Sequence, residues 1–132
     1  MVLNLVEPQS SGIGGGAFML HYDARTKKLA AYDGRATAPQ AATAGMFLDA
    51  EGKPQKFYEA VVGGKSVGVP GLLRMLEMAH TRHGKLAWKK LFQPAIKLSR
   101  DGFPISPRLH GLISKDKFLA SDPVARGKRA SI

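Results

Sequence analysis

The chain has 132 residues, a net charge of +10 and no cysteine. That length builds one small domain with a core, and an apolar fraction of 44% argues against disorder throughout. Disulfides and thiolate metal sites are excluded, and no apolar run approaches the roughly 20 residues that cross a bilayer as a helix.

The lysine and arginine excess, heaviest in the last third, favours anionic partners: nucleic acid, an acidic membrane, or a carboxylate or phosphate substrate. A solvated basic surface fits the same balance. Residues 1–6 (MVLNLV) are short and apolar, and read as the end of a helix or strand whose beginning is missing. They lack the basic-then-apolar pattern of a signal peptide; an exported parent is compatible with a chain that starts downstream of its signal.

Residues 7–16 (EPQSSGIGGG) concentrate glycine and serine ahead of an apolar run. Gly12 to Ala17 matches G-x-G-x-x-A, a dinucleotide fingerprint that needs a helix after it. Here Phe18, Leu20 and Tyr22 alternate with Met19 and His21, the period of a strand. That order argues against a dinucleotide site. The glycines then serve either a compact turn, through positive φ or close backbone approach, or amides aimed at an anion.

Residues 17–23 and 28–33 read as the arms of a hairpin, joined by the polar connection Ala24 to Lys27. Asp33-Gly34 signals a turn, which leaves Arg35 just beyond a strand end, where binding residues commonly lie. The planar fork of arginine grips a carboxylate through two parallel hydrogen bonds, which lysine cannot copy. Arg35 also reads as a solvated arginine, or as one paired with Asp33.

Residues 38–64 suggest a short helix near Gly45 to Phe47 and a surface connection through Glu51 to Pro54. Gly64-Lys65-Ser66 resembles the tail of a phosphate loop, but Glu59 stands where the motif requires its first glycine. A helix opens after Val69-Pro70-Gly71. Leu72, Met75, Leu76 and Ala79 form its apolar face, and Gly84 stops it. His80 and His83 lie one turn apart but lack a third ligand, so they read as a polar helix end rather than a metal site. Trp88, Leu91, Phe92, Ala95 and Ile96 form a second stripe, with Trp88 expected in the core. Pro94 predicts a kink or two abutting helices, and Asp101-Gly102 the end. Ser106-Pro107 starts a third helix towards Lys115. Ser121 to Pro123 suggests another, and residues 125–132 a frayed basic tail.

Four blocks together carry a family resemblance: EPQSSGIGGGAFMLHYD, DGRATAP, SVGVPG and PAIKLSRDGFPISPRL. In this order and spacing the chain resembles, over roughly residues 2–123, the large subunit of γ-glutamyltranspeptidases (glutathione hydrolases). The resemblance implies an α+β fold. This chain would be part of an N-terminal-nucleophile hydrolase αββα sandwich, one β-hairpin plus several helices, incomplete on its own. It implies three stretches: 1–39 with the glycine loop, hairpin and Arg35; 40–68 as surface connection; 69–132 as the helical part.

The resemblance further implies that a precursor cuts itself, and that the new N-terminal threonine of the small subunit attacks the γ-glutamyl amide. Water or an amino acid or peptide then accepts the γ-glutamyl group. Carried over by residue, Arg35 falls on the arginine that grips the substrate α-carboxylate. No catalytic residue and no metal or cofactor site falls in this chain. Thr26, Thr37, Thr43 and Thr81 match no nucleophile motif, and the helix before the glycine loop has no counterpart. The implied partners are the small subunit or the rest of the precursor and a γ-glutamyl substrate such as glutathione. The implied location is periplasmic or extracellular, and the chain alone is expected to be inactive. Two alternatives are a related acylase of the cephalosporin acylase or capsule depolymerase type, and a basic nucleic-acid-binding module. The latter is disfavoured because aromatic residues do not interleave with the basic ones.

Overall fold

The computed structural model describes residues 1–123. Strand β1 (Ala17–Asp23) and strand β2 (Lys28–Gly34) pair antiparallel, from Ala17 opposite Gly34 to Asp23 opposite Lys28. The connection between them is the expected Ala24 to Lys27. The Asp23 carboxylate accepts the N–H groups of Arg25 at 2.9 Å and Thr26 at 3.3 Å. Hydrogen bonds from the side chain and backbone of Thr26 hold the Asp23 carboxyl below its ordinary range. Lys27 adopts a positive φ of 54° to close the turn.

Alternation along β1 left open which set of side chains faces inward. The structure turns Met19 and His21 inward and leaves Phe18 71% and Leu20 69% exposed. Helix α1 (Val2–Val6), the second short helix α2 (Phe57–Val61) and helix α3 (Leu72–His83) accompany the hairpin. The core is Tyr32 of β2 against Leu72, Met75 and Ala79 of α3, with Ala17, Met19, Ala30 and Leu76 packed around it. This is the face predicted for α3. Its three buried residues follow a helical spacing that brings them over one strand face. The contact also needs small residues on β2. A Cβ on Gly34 would lie 2.6 Å from the Met75 Cβ.

Helix α3 stops at Gly84, as expected, but for a steric reason. Gly84 has φ −66°, so no left-handed turn requires glycine. A Cβ there would lie 2.3 Å from the His80 ring. A 3-10 turn, Trp88–Phe92, then abuts helix α4 (Gln93–Asp101), with Pro94 in its first turn and Gly102 at φ 78° after its end. The break at Pro94 is the predicted one. Proline forfeits a donor that a first turn does not use. Trp88 is half-buried rather than core, edge-on to both His80 and Phe92.

Two expectations are corrected. Residues 45–47 form turns, and the short helix of this region is α2 instead. The Asp49 side chain accepts the N–H groups of Glu51 and Lys53 at 3.1 and 2.8 Å. Such local bonds compete with a helix and stabilise a turn. A helical turn, α1, does precede the glycine loop, and Asn4 ties it to the Ser11 carbonyl at 3.0 Å.

Two compact units divide the chain, Met1–Gly102 and Phe103–Ile132. In the second, helix α5 (Pro107–Lys115) begins as predicted. Ser106 caps it by accepting the Leu109 N–H at 3.0 Å, satisfying one of the free amides of the first turn. The helix expected from Ser121 and the basic tail lie largely or wholly outside the described residues. The described fold is an α+β arrangement with one two-stranded antiparallel sheet. Among the described residues no helix is long and apolar enough to cross a membrane.

Candidate functional site

Three glycine-bearing blocks, far apart in sequence, meet at the end of β2. The Gly15 carbonyl accepts the N–H groups of Gly71 at 3.2 Å and Leu72 at 3.1 Å, the first amides of α3. Those amides have no partner within their own helix, so the glycine loop caps it. A Cβ on Gly16 would stand 2.4 Å from the Ala36 nitrogen and 2.8 Å from the Arg35 Cα. One on Gly71 would stand 2.5 Å from the Gly34 carbonyl oxygen and 3.1 Å from that of Arg35. Only glycine lets the three backbones approach this closely. Gly16 and Gly71 therefore serve close packing at this junction, whereas Gly12 and Gly14 have open space around them.

Arg35 sits inside the junction. On its N-terminal side the Asp33 carboxylate accepts the Arg35 backbone N–H at 2.8 Å. On its C-terminal side Thr37 and Val69 exchange both backbone hydrogen bonds, at 3.2 and 2.8 Å. The side chain itself is exposed. Among the described residues the Arg35 guanidinium makes no hydrogen bond or ion pair; Asp33 engages the backbone instead. The arrangement is a cation with a free planar fork on a backbone fixed from both sides. Chemically it suits a carboxylate.

The other sequence candidates are occupied elsewhere. His83 Nε2 lies 2.7 Å from the Tyr32 hydroxyl, and its ring stacks on His21 with centroids 3.7 Å apart. His80 Nε2 lies 2.8 Å from the Leu86 carbonyl oxygen. Both imidazoles tie α3 to its surroundings. Among the described residues no group of three or more potential ligands gathers around a metal position. Gly64–Ser66 is a 3-10 turn whose Ser66 hydroxyl donates to the Val61 carbonyl at 2.7 Å, and the Gly12 to Gly16 loop leads into β1. Neither is a phosphate loop, which needs a helix start. Thr81 donates to the Glu77 carbonyl.

A cleft of about 360 Å³ opens between the hairpin, α3 and the Trp88–Phe92 turn, lined by Met19, His21, Ala79, His83 and Trp88 among others. Arg35 is not among its lining residues. From sequence pattern alone SVGVPG has no part in the site. Its glycine and proline clustering beside a helix start was the available signal, and the structure shows it bracing Arg35 from the far side.

The profile of one known family, gamma-glutamyltranspeptidase, matches residues 1–130. The glutathione hydrolase proenzyme of Bacillus subtilis (strain 168) is 49% identical over 112 residues, 85% of this chain and 19% of that protein. This chain thus spans about a fifth of the length of such relatives. The crystal structure of Helicobacter pylori gamma-glutamyltranspeptidase superposes with a TM-score of 0.84 at 30% identity, covering 94% of this chain and 35% of that one. The gamma-glutamyltranspeptidase from Pseudomonas nitroreducens complexed with L-DON gives a TM-score of 0.79 at 36% identity, covering 86% and 33%. These neighbours agree with the expected α+β fold, a part of a larger layered sandwich. By sequence and by fold, this chain belongs to the gamma-glutamyltranspeptidase family.

Proposed function

We propose that this chain is the donor-carboxylate-binding part of the large subunit of a γ-glutamyl hydrolase or transferase. The Arg35 guanidinium takes the α-carboxylate of a γ-glutamyl donor such as glutathione through two parallel hydrogen bonds. The observation that carries this reading is the free guanidinium on a backbone fixed by Asp33 and by the Thr37–Val69 pair. The relatives named glutathione hydrolase add support.

The nucleophile comes from the small subunit, released from the same precursor. Its N-terminal threonine hydroxyl attacks the γ-amide carbonyl carbon while its own amine takes the proton. Backbone amides stabilise the oxyanion. The amide C–N bond breaks, the leaving amine takes the proton, and a γ-glutamyl ester remains on threonine. Water or an acceptor amine then attacks that ester and restores the hydroxyl. The protein works outside the cytoplasm, in the periplasm or beyond the cell.

The test is turnover of a chromogenic γ-glutamyl anilide. The purified chain alone gives no more release than a heat-treated control. Within the complete two-subunit protein, with the rest of the precursor present, it turns over. There Arg35→Ala raises the donor KM by about ten- to a hundredfold, the worth of a charge-assisted pair of hydrogen bonds. An unchanged KM in that variant overturns the reading.

A further inference from the structure

The same junction explains how an exposed arginine keeps a defined position and an open fork. Asp33 is the acid nearest Arg35 in sequence and the obvious competitor for its guanidinium. Its Oδ1 instead accepts the Arg35 backbone N–H at 2.8 Å, and the carboxylate makes no ion pair with the guanidinium. That bond closes a side-chain turn which fixes the residue two positions on. Gly16 presses on the same residue from another side. Its missing Cβ would fall 2.8 Å from the Arg35 Cα. Gly71 closes the third side, where a Cβ would fall 3.1 Å from the Arg35 carbonyl oxygen. The side chain is then the one part of Arg35 left unconstrained, and it is exposed.

We propose that Asp33 is a positioning residue for Arg35: by accepting its backbone N–H through Oδ1 it orients the arginine, and with no ion pair between Asp33 and the guanidinium the fork is left for a donor carboxylate. The proposal rests on the carboxylate-binding reading of Arg35. It assigns Asp33 no contact with substrate. The turn needs an oxygen acceptor, not a charge. Asparagine provides that oxygen, and alanine does not. A residue kept for its negative charge behaves in the opposite way.

The experiment measures donor kinetics in the assembled two-subunit protein for Asp33→Ala, Asp33→Asn and Arg35→Ala. The donors are a γ-glutamyl anilide and the matching anilide that lacks the α-carboxylate. Asp33→Ala is expected to raise the KM of the γ-glutamyl donor by about five- to tenfold, the worth of one hydrogen bond, with kcat nearly unchanged. Asp33→Asn is expected to stay within about twofold of the parent, since the acceptor oxygen is kept. Neither variant should change the kinetics of the donor without the carboxylate.

An Asp33→Ala KM within twofold of the parent, or an Asp33→Asn defect as large as that of alanine, overturns the positioning role. So does an equal loss on both donors, which reports a merely structural effect. Arg35→Ala separates the two levels. If it raises the γ-glutamyl KM while Asp33→Ala does not, only the positioning role fails. If it leaves that KM unchanged, the carboxylate-binding reading fails first.

Discussion

The Tyr32 hydroxyl and His83 Nε2 lie 2.7 Å apart, 51 residues apart in sequence, and join the second strand to the end of α3. Tyr32 is also buried, at 6% exposure. The pair therefore combines apolar burial with a polar tie. Removing the hydroxyl alone separates them. Tyr32→Phe should cost about 1 kcal/mol, the net value of one hydrogen bond. Tyr32→Ala should cost about 3–5 kcal/mol through the cavity it leaves. Chemical denaturation reads both, and equal costs would mean that the ring contributes nothing beyond its hydroxyl.

Gly34 and Met75 compete for the same space. A methyl on Gly34 would enter the side chain of Met75 at 2.6 Å. Gly34→Ala should therefore destabilise by about 1–3 kcal/mol, as overpacked sites do. Met75→Ala should cost about 2–5 kcal/mol by itself. Met75→Ala keeps the Cβ that the added methyl meets at 2.6 Å, so the double variant should be as unstable as the sum predicts, within about 0.5 kcal/mol. A double variant well above that sum would show that the Met75 Sδ, 2.9 Å from the methyl, is the obstacle instead.

Asp23 gives the hairpin turn an acid dependence of known sign. Hydrogen bonds from Thr26 and Arg25 lower its folded pKa. A depressed carboxyl contributes stability that is fully present above its unfolded value of about 3.9 and is lost as the pH falls through the folded value. The stability gap between the parent and Asp23→Ala should thus be constant at neutral pH and close below pH 4 or so. An NMR titration of the Asp23 carboxyl should place its midpoint below the ordinary aspartate value. A midpoint above that value contradicts the turn geometry.

The outer face of the hairpin should make the isolated chain self-associate. Leu20 and Leu29 are 69% and 65% exposed, and Phe18 and Tyr22 join them on the same face. Exposed apolar patches and free strand edges drive association. Leu20→Lys combined with Leu29→Thr should shift the sedimentation profile of the purified chain towards monomer. A parent chain that is already monomeric at high concentration would refute this expectation.

Much of the local structure was legible in the sequence. The alternation in residues 17–23, the turn residues at 24–27, the apolar spacing of Leu72, Met75 and Ala79, Pro94 and the Ser106-Pro107 cap each act within a few residues of themselves. The misplaced helix at residues 45–47 is the converse case. There the Met46 N–H closes on the Thr43 carbonyl and the Leu48 N–H on the Gly45 carbonyl, three-residue turns rather than a helical ladder, and composition does not reveal such a choice.

By itself the sequence determined the hairpin and the starts of α3, α4 and α5, which rest on residue type and short-range spacing. The family and the candidate role of Arg35 came from the resemblance of four blocks. Only the tertiary structure decided that Met19 and His21 face inward while Phe18 and Leu20 face out. It also decided that Gly16, Gly34 and Gly71 converge around Arg35, and that Asp33 holds its backbone rather than its charge. The reason is geometric. Which face is covered, and which backbones touch, depends on where α3 lies against the strands, and that placement joins residues too distant in sequence for any local pattern to encode.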